Sequence, residues 1–325
     1  MQNQYMPEGT LINTAENREY LSGIAGLERA HEKQKILEGK VLLCDNDFSL
    51  HIDLGKIRGI MPKSEVEWKS DGECIKDIAV LTRVGKAICF KIIGFRKNEN
   101  GETYAILSRR LAQAECMQNY ISALSCGDIL PAKVTHLENF GAFVDIGCGI
   151  ISLLPIDSIS VSRISHPRDR FSVDERIYVV IKSIDRNKRI YVSHRELLGT
   201  WEENAALFSI GQTVSGIVRS VENYGIFIEL TPNLAGLAEL KDNISVNQCA
   251  AVYIKNIIPE KMKIKLVIID SQNSVIAEPK PVIYFTDMKK TSHIDSWIYS
   301  PESSQKVIES TFDIGTHNAT FTKQY

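Results

Sequence analysis

The residues able to do chemistry divide quickly into those without a recognisable arrangement and one group that recurs. Cys44, Cys74, Cys89, Cys116, Cys126, Cys148 and Cys249 include no pair separated by two residues and no Cys/His cluster of zinc spacing. Reduced, unremarkable thiols are therefore expected. His166, His194 and His293 stand isolated, and Gly147-Cys-Gly149 lacks the third glycine and the following helix of a phosphate loop. There is no nucleophile elbow, no His-Glu-x-x-His and no nuclease-type carboxylate cluster. Catalysis, a metal, an organic cofactor and a small-molecule substrate are not expected. The recurring group is aromatic: Asn139-Phe140-Gly-Ala-Phe143 returns about 84 residues later as Asn223-Tyr224-Gly-Ile-Phe227. Every base has a π-face, and stacking on an aromatic ring contributes about 1–3 kcal/mol per base. Cations nearby would hold phosphates, and Lys133, Lys188, Arg189 and Lys263 are the candidates. The 325-residue chain has a formal net charge of −2, so any nucleic-acid site must be local.

The elements that would position these rings repeat with them. Gly127 to Gly147 and Gly211 to Leu230 share a strand, a Leu/Val-Glu-Asn turn, then aromatic-Gly-x-Phe-apolar-acid-apolar. A worn copy, Glu38 to Leu54, has one extra residue and lacks the glycine and the second aromatic. Each unit continues through a short strand and a corner to a β-branched strand and a closing strand, such as Arg189-Ile-Tyr-Val-Ser193 or Lys263-Ile-Lys-Leu-Val267. Five short strands in about 70 residues fit a small closed barrel, which also removes exposed sheet edges. Alternation along the second strand places Phe143 with Asp145 and Phe227 with Glu229, opposite Val144 and Ile226. Because a carboxylate is rarely buried without a partner, both phenylalanines are expected on the exposed outer face. The same alternation groups Arg189, Tyr191 and Ser193, with Asp185 placed to pair with or orient Arg189.

Between the barrels the apolar period changes to about 3.6. Asn13-Thr-Ala-Glu16 offers a helix start, Leu111–Leu124 a second helix, and Leu197–Phe208 a third with Trp201 as packing anchor. The expected organisation is therefore mainly β. A helical segment (1–36) precedes three five-stranded OB-fold barrels (37–110, 127–196, 210–270) joined by helical linkers (111–126, 197–209). The extension 271–325 is unassigned, with strands expected at Val282–Phe285 and Trp297–Tyr299, a helical turn within Gln305–Thr311, and Trp297 and Tyr299 exposed for contact.

Gly127–Leu197 resembles the S1 RNA-binding domain, the repeat of a bacterial ribosomal protein, through Lys133-Val-Thr…Glu138-Asn-Phe-Gly-Ala-Phe-Val-Asp145 and Ile184-Asp-Arg-Asn-Lys-Arg-Ile-Tyr-Val-Ser193. With its worn copies the resemblance extends over roughly residues 36–270. It implies an RNA surface at Phe140, Phe143, Asp185 and Arg189, with Tyr224, Phe227 and Lys263 in the third unit. The family's corner histidine is replaced by Pro62, Pro155 and Glu239, and Glu239 would repel phosphate. The first unit has Phe48, Ser49 and His51 where the family has aromatic, glycine and aromatic, which points away from strong RNA binding and toward protein docking.

The resemblance implies a non-catalytic, cytoplasmic protein that binds single-stranded RNA at the small ribosomal subunit. An accessory of transcription or RNA decay, and a barrel array that binds only protein, stay open. The polar N-terminus has no signal-peptide layout, and no apolar run reaches the roughly 20 residues of a membrane span.

Overall fold

The computed structural model describes residues 4–69, 74–185, 189–272 and 282–312. Three closed five-stranded barrels dominate it. The first comprises β1 (Leu37–Cys44), β2 (Leu50–Asp53), β3 (Arg58–Met61), β4 (Ala87–Lys97) and β5 (Thr103–Ser108). The middle comprises β6 (Ile129–Glu138), β7 (Gly141–Asp145), β8 (Ile151–Pro155), β9 (Arg176–Ile184) and β10 (Ile190–Ser193). The third comprises β11 (Thr213–Glu222), β12 (Gly225–Thr231), β13 (Leu234–Ala238), β14 (Cys249–Ile258) and β15 (Lys263–Gln272). In each, the third strand pairs in parallel with the fifth, at Gly59↔Ala105, Leu153↔Tyr191 and Leu237↔Lys265. The first strand of each barrel pairs antiparallel with its neighbours, as at Val41↔Ile52, Val218↔Ile228 and Ala132↔Ile177. Among the described residues no helix is long and apolar enough to cross a membrane.

By compactness the chain divides into two units, one of residues 1–124 with 145–151, the other of 125–144 with 152–325. In the first unit, helix α1 (Ala15–Leu21) starts at Thr14, whose hydroxyl accepts from the Asn17 amide at 3.2 Å. Tyr20, together with Leu27 and Ala30 of α2 (Ile24–Glu32), joins the core of the first barrel. After the short helix α3 (Asp77–Leu81), helix α4 (Arg109–Asn119) follows β5, capped by Ser108.

In the second unit, α5 (Trp201–Ala205) begins with a capping box between Thr200 and Glu203. Trp201 is buried in the core of the third barrel. The C-terminal segment departs from expectation. Val282–Phe285 is irregular, and Glu309–Thr311 is not helical but forms β17, paired with β16 (Ser296–Ile298). Trp297 and Tyr299 are not exposed: both pack on the third barrel's core, and the Tyr299 hydroxyl donates to the Asn233 carbonyl at 2.5 Å. Two large rings on a short ribbon can be buried only against another element, and here it is the barrel beside them.

The same segment is tied to the middle barrel. Tyr284 donates from its hydroxyl to His194 Nε2 at 3.2 Å and accepts from the Tyr178 amide at 3.1 Å. His194 Nδ1 then faces the Ile159 carbonyl at 3.1 Å. Burial, offset in part by that carbonyl and reinforced by the Arg170 charge, pushes His194 down to about 4, so the imidazole is neutral near pH 7.

Candidate nucleic-acid interface

The aromatic-Gly-x-Phe pattern has a steric cause. A Cβ on Gly141 would lie 2.4 Å from the Leu154 carbonyl oxygen, and one on Gly225 would lie 2.6 Å from that of Ala238. Only glycine lets the third strand pass so close to the start of the second. The ring before it is thereby left at the mouth of the hairpin: Phe140 is 56% exposed and Tyr224 66%. Phe143 and Phe227 are half-buried on the outer face, with Val144, Ile226 and Ile228 inside.

The two barrels then build the same object. Phe140 and Phe143 meet edge to face with centroids 6.0 Å apart and planes at 89°. Tyr224 and Phe227 do so at 6.1 Å and 88°. The middle barrel adds the exposed ring of His136, nearly parallel to Phe143 at 6.3 Å. His136 was absent from the expected set. Val134 is buried, so simple alternation would have turned His136 inward; the alternation of burial breaks instead, leaving His136 exposed, and Thr135 donates to the Phe143 carbonyl at 3.0 Å.

The acids used to assign these faces need correction. Asp145 and Glu229 share the outer face with their phenylalanines, yet they are only 1% and 5% exposed. Each is covered by a distant segment. Asp145 accepts from the amides of Glu8 at 2.7 Å, Gly147 at 2.8 Å and Gly149 at 3.0 Å. Burial, followed by the Glu8 carboxylate, pushes Asp145 up to about 7. Glu8 is itself held at 2.6 and 3.0 Å by Arg109, whose side chain is fully buried. Burial would raise Glu8, but the guanidinium outweighs it and holds the carboxyl low. Glu229 is gripped by Arg170 at 2.8 Å and by Arg219 at 2.9 Å. The strand-two acid is thus an anchor for neighbouring chain segments.

The expected cations and Asp185 are placed as follows. Lys133 pairs with Asp174 at 2.9 Å. Asp185 closes the β9–β10 turn by accepting from the Arg189 amide at 2.8 Å, while Arg189 itself is exposed. A register shift between Tyr191 and Val192 breaks the expected face, and Ser193 is fully buried, donating to the Ser158 carbonyl at 3.2 Å. Lys188 lies outside the described residues. Lys263 is exposed on β15, but the residue level with the ring pair is Lys265: Phe227 pairs with Leu237, and Leu237 with Lys265. Sequence spacing alone could not show this, because the alignment runs through the parallel β13–β15 pair.

The first barrel closes in the same way but presents a different surface. Phe48 takes a left-handed conformation at φ +58° and lies under Lys63, whose Nζ is 4.9 Å from the ring centre. His51 is bound to Asp45 at 2.9 Å, and Asp45 also accepts from the Ser49 and Asp47 amides. The two rings are therefore engaged by the first unit's own side chains, Lys63 and Asp45.

All seven cysteines are free, and no group of side chains that could hold a metal ion occurs among the described residues. The model of the S1 RNA binding domain matches residues 30–110 and 125–195. The chain is S1-like, with tandem S1 RNA-binding domains. The third barrel lies outside both matched stretches yet has the same strand order as the first and the same ring pair as the middle. The small ribosomal subunit protein bS1 homolog of Bacillus subtilis (strain 168) is 26% identical over 295 residues, covering 89% of this chain and 72% of that protein. The bS1 protein of Mycolicibacterium smegmatis is 29% identical over 241 residues, covering 72% and 48%. That of Staphylococcus aureus (strain COL) is 30% identical over 222 residues, covering 66% and 54%. The chain thus spans about half the length of the latter two. The S1 domains mark an RNA-binding chain.

Proposed function

We propose that this S1-like chain binds single-stranded RNA by stacking bases on the ring pairs of its middle and third barrels, and that it does so in the cytoplasm beside the small ribosomal subunit. The observation that carries the stacking role is the repetition of one edge-to-face pair, at 6.0 and 6.1 Å, on two barrels. Each pair has one strongly exposed ring, a geometry that offers a π-face to a base. Arg189 and Lys263 are the phosphate contacts, with Lys133 and Lys188 as further cations and Asp185 as the residue that shapes the Arg189 turn. The ribosomal setting rests on the bS1 relatives. Stacking is tolerant of sequence, so base preference should be modest.

A titration with a single-stranded RNA and its duplex tests this. Tighter binding of the single strand is expected, and equal affinity for the duplex would contradict a stacking surface. Co-sedimentation with small ribosomal subunits is expected; recovery with RNA polymerase or a nuclease instead would favour transcription or decay.

The first barrel supports a second role, protein docking. Its two rings are engaged internally, while Leu42 and Leu43 on β1 are exposed. Loss of subunit co-sedimentation in a Leu42→Glu/Leu43→Glu variant that still binds RNA would support docking. Undiminished co-sedimentation would contradict it.

A further inference from the structure

The connection from β8 to β9 of the middle barrel carries a cluster of arginines. Ser162–Phe171 holds Arg163, Arg168 and Arg170 against one acid, Asp169. The loop has a fixed shape. Phe171 is buried edge to face against His194, with ring centroids 5.1 Å apart. Pro167–Asp169 forms a 3₁₀ turn closed by a capping box. In it His166 Nδ1 accepts from the Arg168 amide at 3.0 Å, and Asp169 accepts from the His166 amide at 3.3 Å.

Two of the loop's four charges face the third barrel. Arg170 donates to Glu229 at 2.8 Å, and Asp169 pairs with Arg219 at 3.7 Å. Arg219 also holds Glu229, at 2.9 Å. Two amides fix the approach further: Val161 donates to Asn233 Oδ1 at 3.0 Å and Ser162 to the Pro232 carbonyl at 3.1 Å. Asn233 is fully buried and donates in turn to the Arg195 and Gly199 carbonyls, both at 2.8 Å. Register places this lock beside the rings. Glu229 is two residues from Phe227 on the outer face of β12, about 7 Å along the strand. Arg219 is the extra residue of a bulge between the Val218–Ile228 and Ser220–Phe227 pairs, and a bulge re-aims its side chain. Arg163 and Arg168 are the loop's remaining charges. Both are exposed, and neither pairs with a carboxylate among the described residues. Arg163 follows Ser162 and Arg168 precedes Asp169, so both are held at the border of the third barrel's ring face by bonded neighbours.

We infer that the middle barrel's loop completes the RNA site of the third barrel, with Arg163 and Arg168 holding phosphates of the strand whose bases stack on Tyr224 and Phe227. The third barrel has Glu239 at its own corner, and the guanidinium groups, which suit phosphate, come from its neighbour. This rests on the single-stranded RNA function proposed above. The full chain and an R163Q/R168Q variant are titrated with a labelled single-stranded RNA at several salt concentrations, with melting curves to confirm folding. Each phosphate neutralised on a single strand contributes about −0.7 to the slope of log affinity against log salt. Loss of both contacts should make the slope shallower by about 1.4 and lower affinity at low salt by about five- to tenfold. The same two changes are then made in F140A/F143A and Y224A/F227A backgrounds. The loss should persist without the middle rings and vanish without the third-barrel rings. An unchanged slope in the arginine variant, or a loss that survives Y224A/F227A, would overturn the composite site while leaving RNA binding standing. Absence of RNA binding by the unmodified chain would overturn both.

Discussion

The first and middle barrels share a strand order in which the first three strands follow one another and the third pairs with the fifth, yet their outer faces differ in kind. In the middle barrel, glycine at position 141 lets Phe140 stand clear of the hairpin and meet Phe143 edge to face. In the first, a turn one residue longer, without the glycine, folds Phe48 beneath Lys63 and binds His51 to Asp45. The interior alternation specifies the barrel, and the outward-facing positions specify what it touches. Sequence change can therefore erase a binding surface without disturbing closure.

The anchoring acids give the largest test of this separation. Arg109→Met leaves Glu8 buried without its cation and should destabilise the first unit by about 3–5 kcal/mol. Arg170→Met should cost less, because Arg219 still holds Glu229 at 2.9 Å. Denaturant melts of the two variants check the order, and equal losses would break it.

Acid should act in opposite senses on the two units. His194, held down to about 4 against an unfolded value near 6.5, binds its proton first in the unfolded chain. Its contribution is present above about pH 6.5 and is lost as pH falls toward 4, by up to about 3 kcal/mol. Glu38 and Asp145, both pushed up to about 7 by burial and the Glu8 charge, contribute stability at low pH that is lost as pH rises through 7. Melting followed from pH 5 to 7 should show the rise in stability with pH set by His194 flattened in His194→Asn, while the fall set by Glu38 and Asp145 is kept.

Next in size is the stacking surface: Phe140→Ala should weaken single-stranded RNA affinity by about five- to tenfold, at the lower end of the 1–3 kcal/mol per stacked base. The smallest effect is expected from His51→Ala, which should leave RNA affinity within twofold. A large loss there, measured in the same titration, would mean that the first barrel is a binding barrel after all.

Much of this was legible in local pattern. Aromatic-Gly-x-Phe reports a backbone approach that only glycine allows, so Phe140 and Tyr224 were identifiable. Burial imposed by distant chain was not. Asp145 is covered by Glu8, 137 residues away, and Glu229 by Arg170, 59 residues away, so both acids looked solvated. Trp297 and Tyr299 were misread for the same reason. His136 was hidden by a break in alternation. Lys265 was hidden because a parallel pair aligns it with Phe227 and leaves no mark in local spacing.

The most direct measurement is the affinity of the full chain for a single-stranded RNA with Phe143→Ala and Phe227→Ala combined. The predicted result is a loss of at least tenfold with an unchanged melting curve. Unchanged affinity in the folded double variant would contradict base stacking on the paired rings.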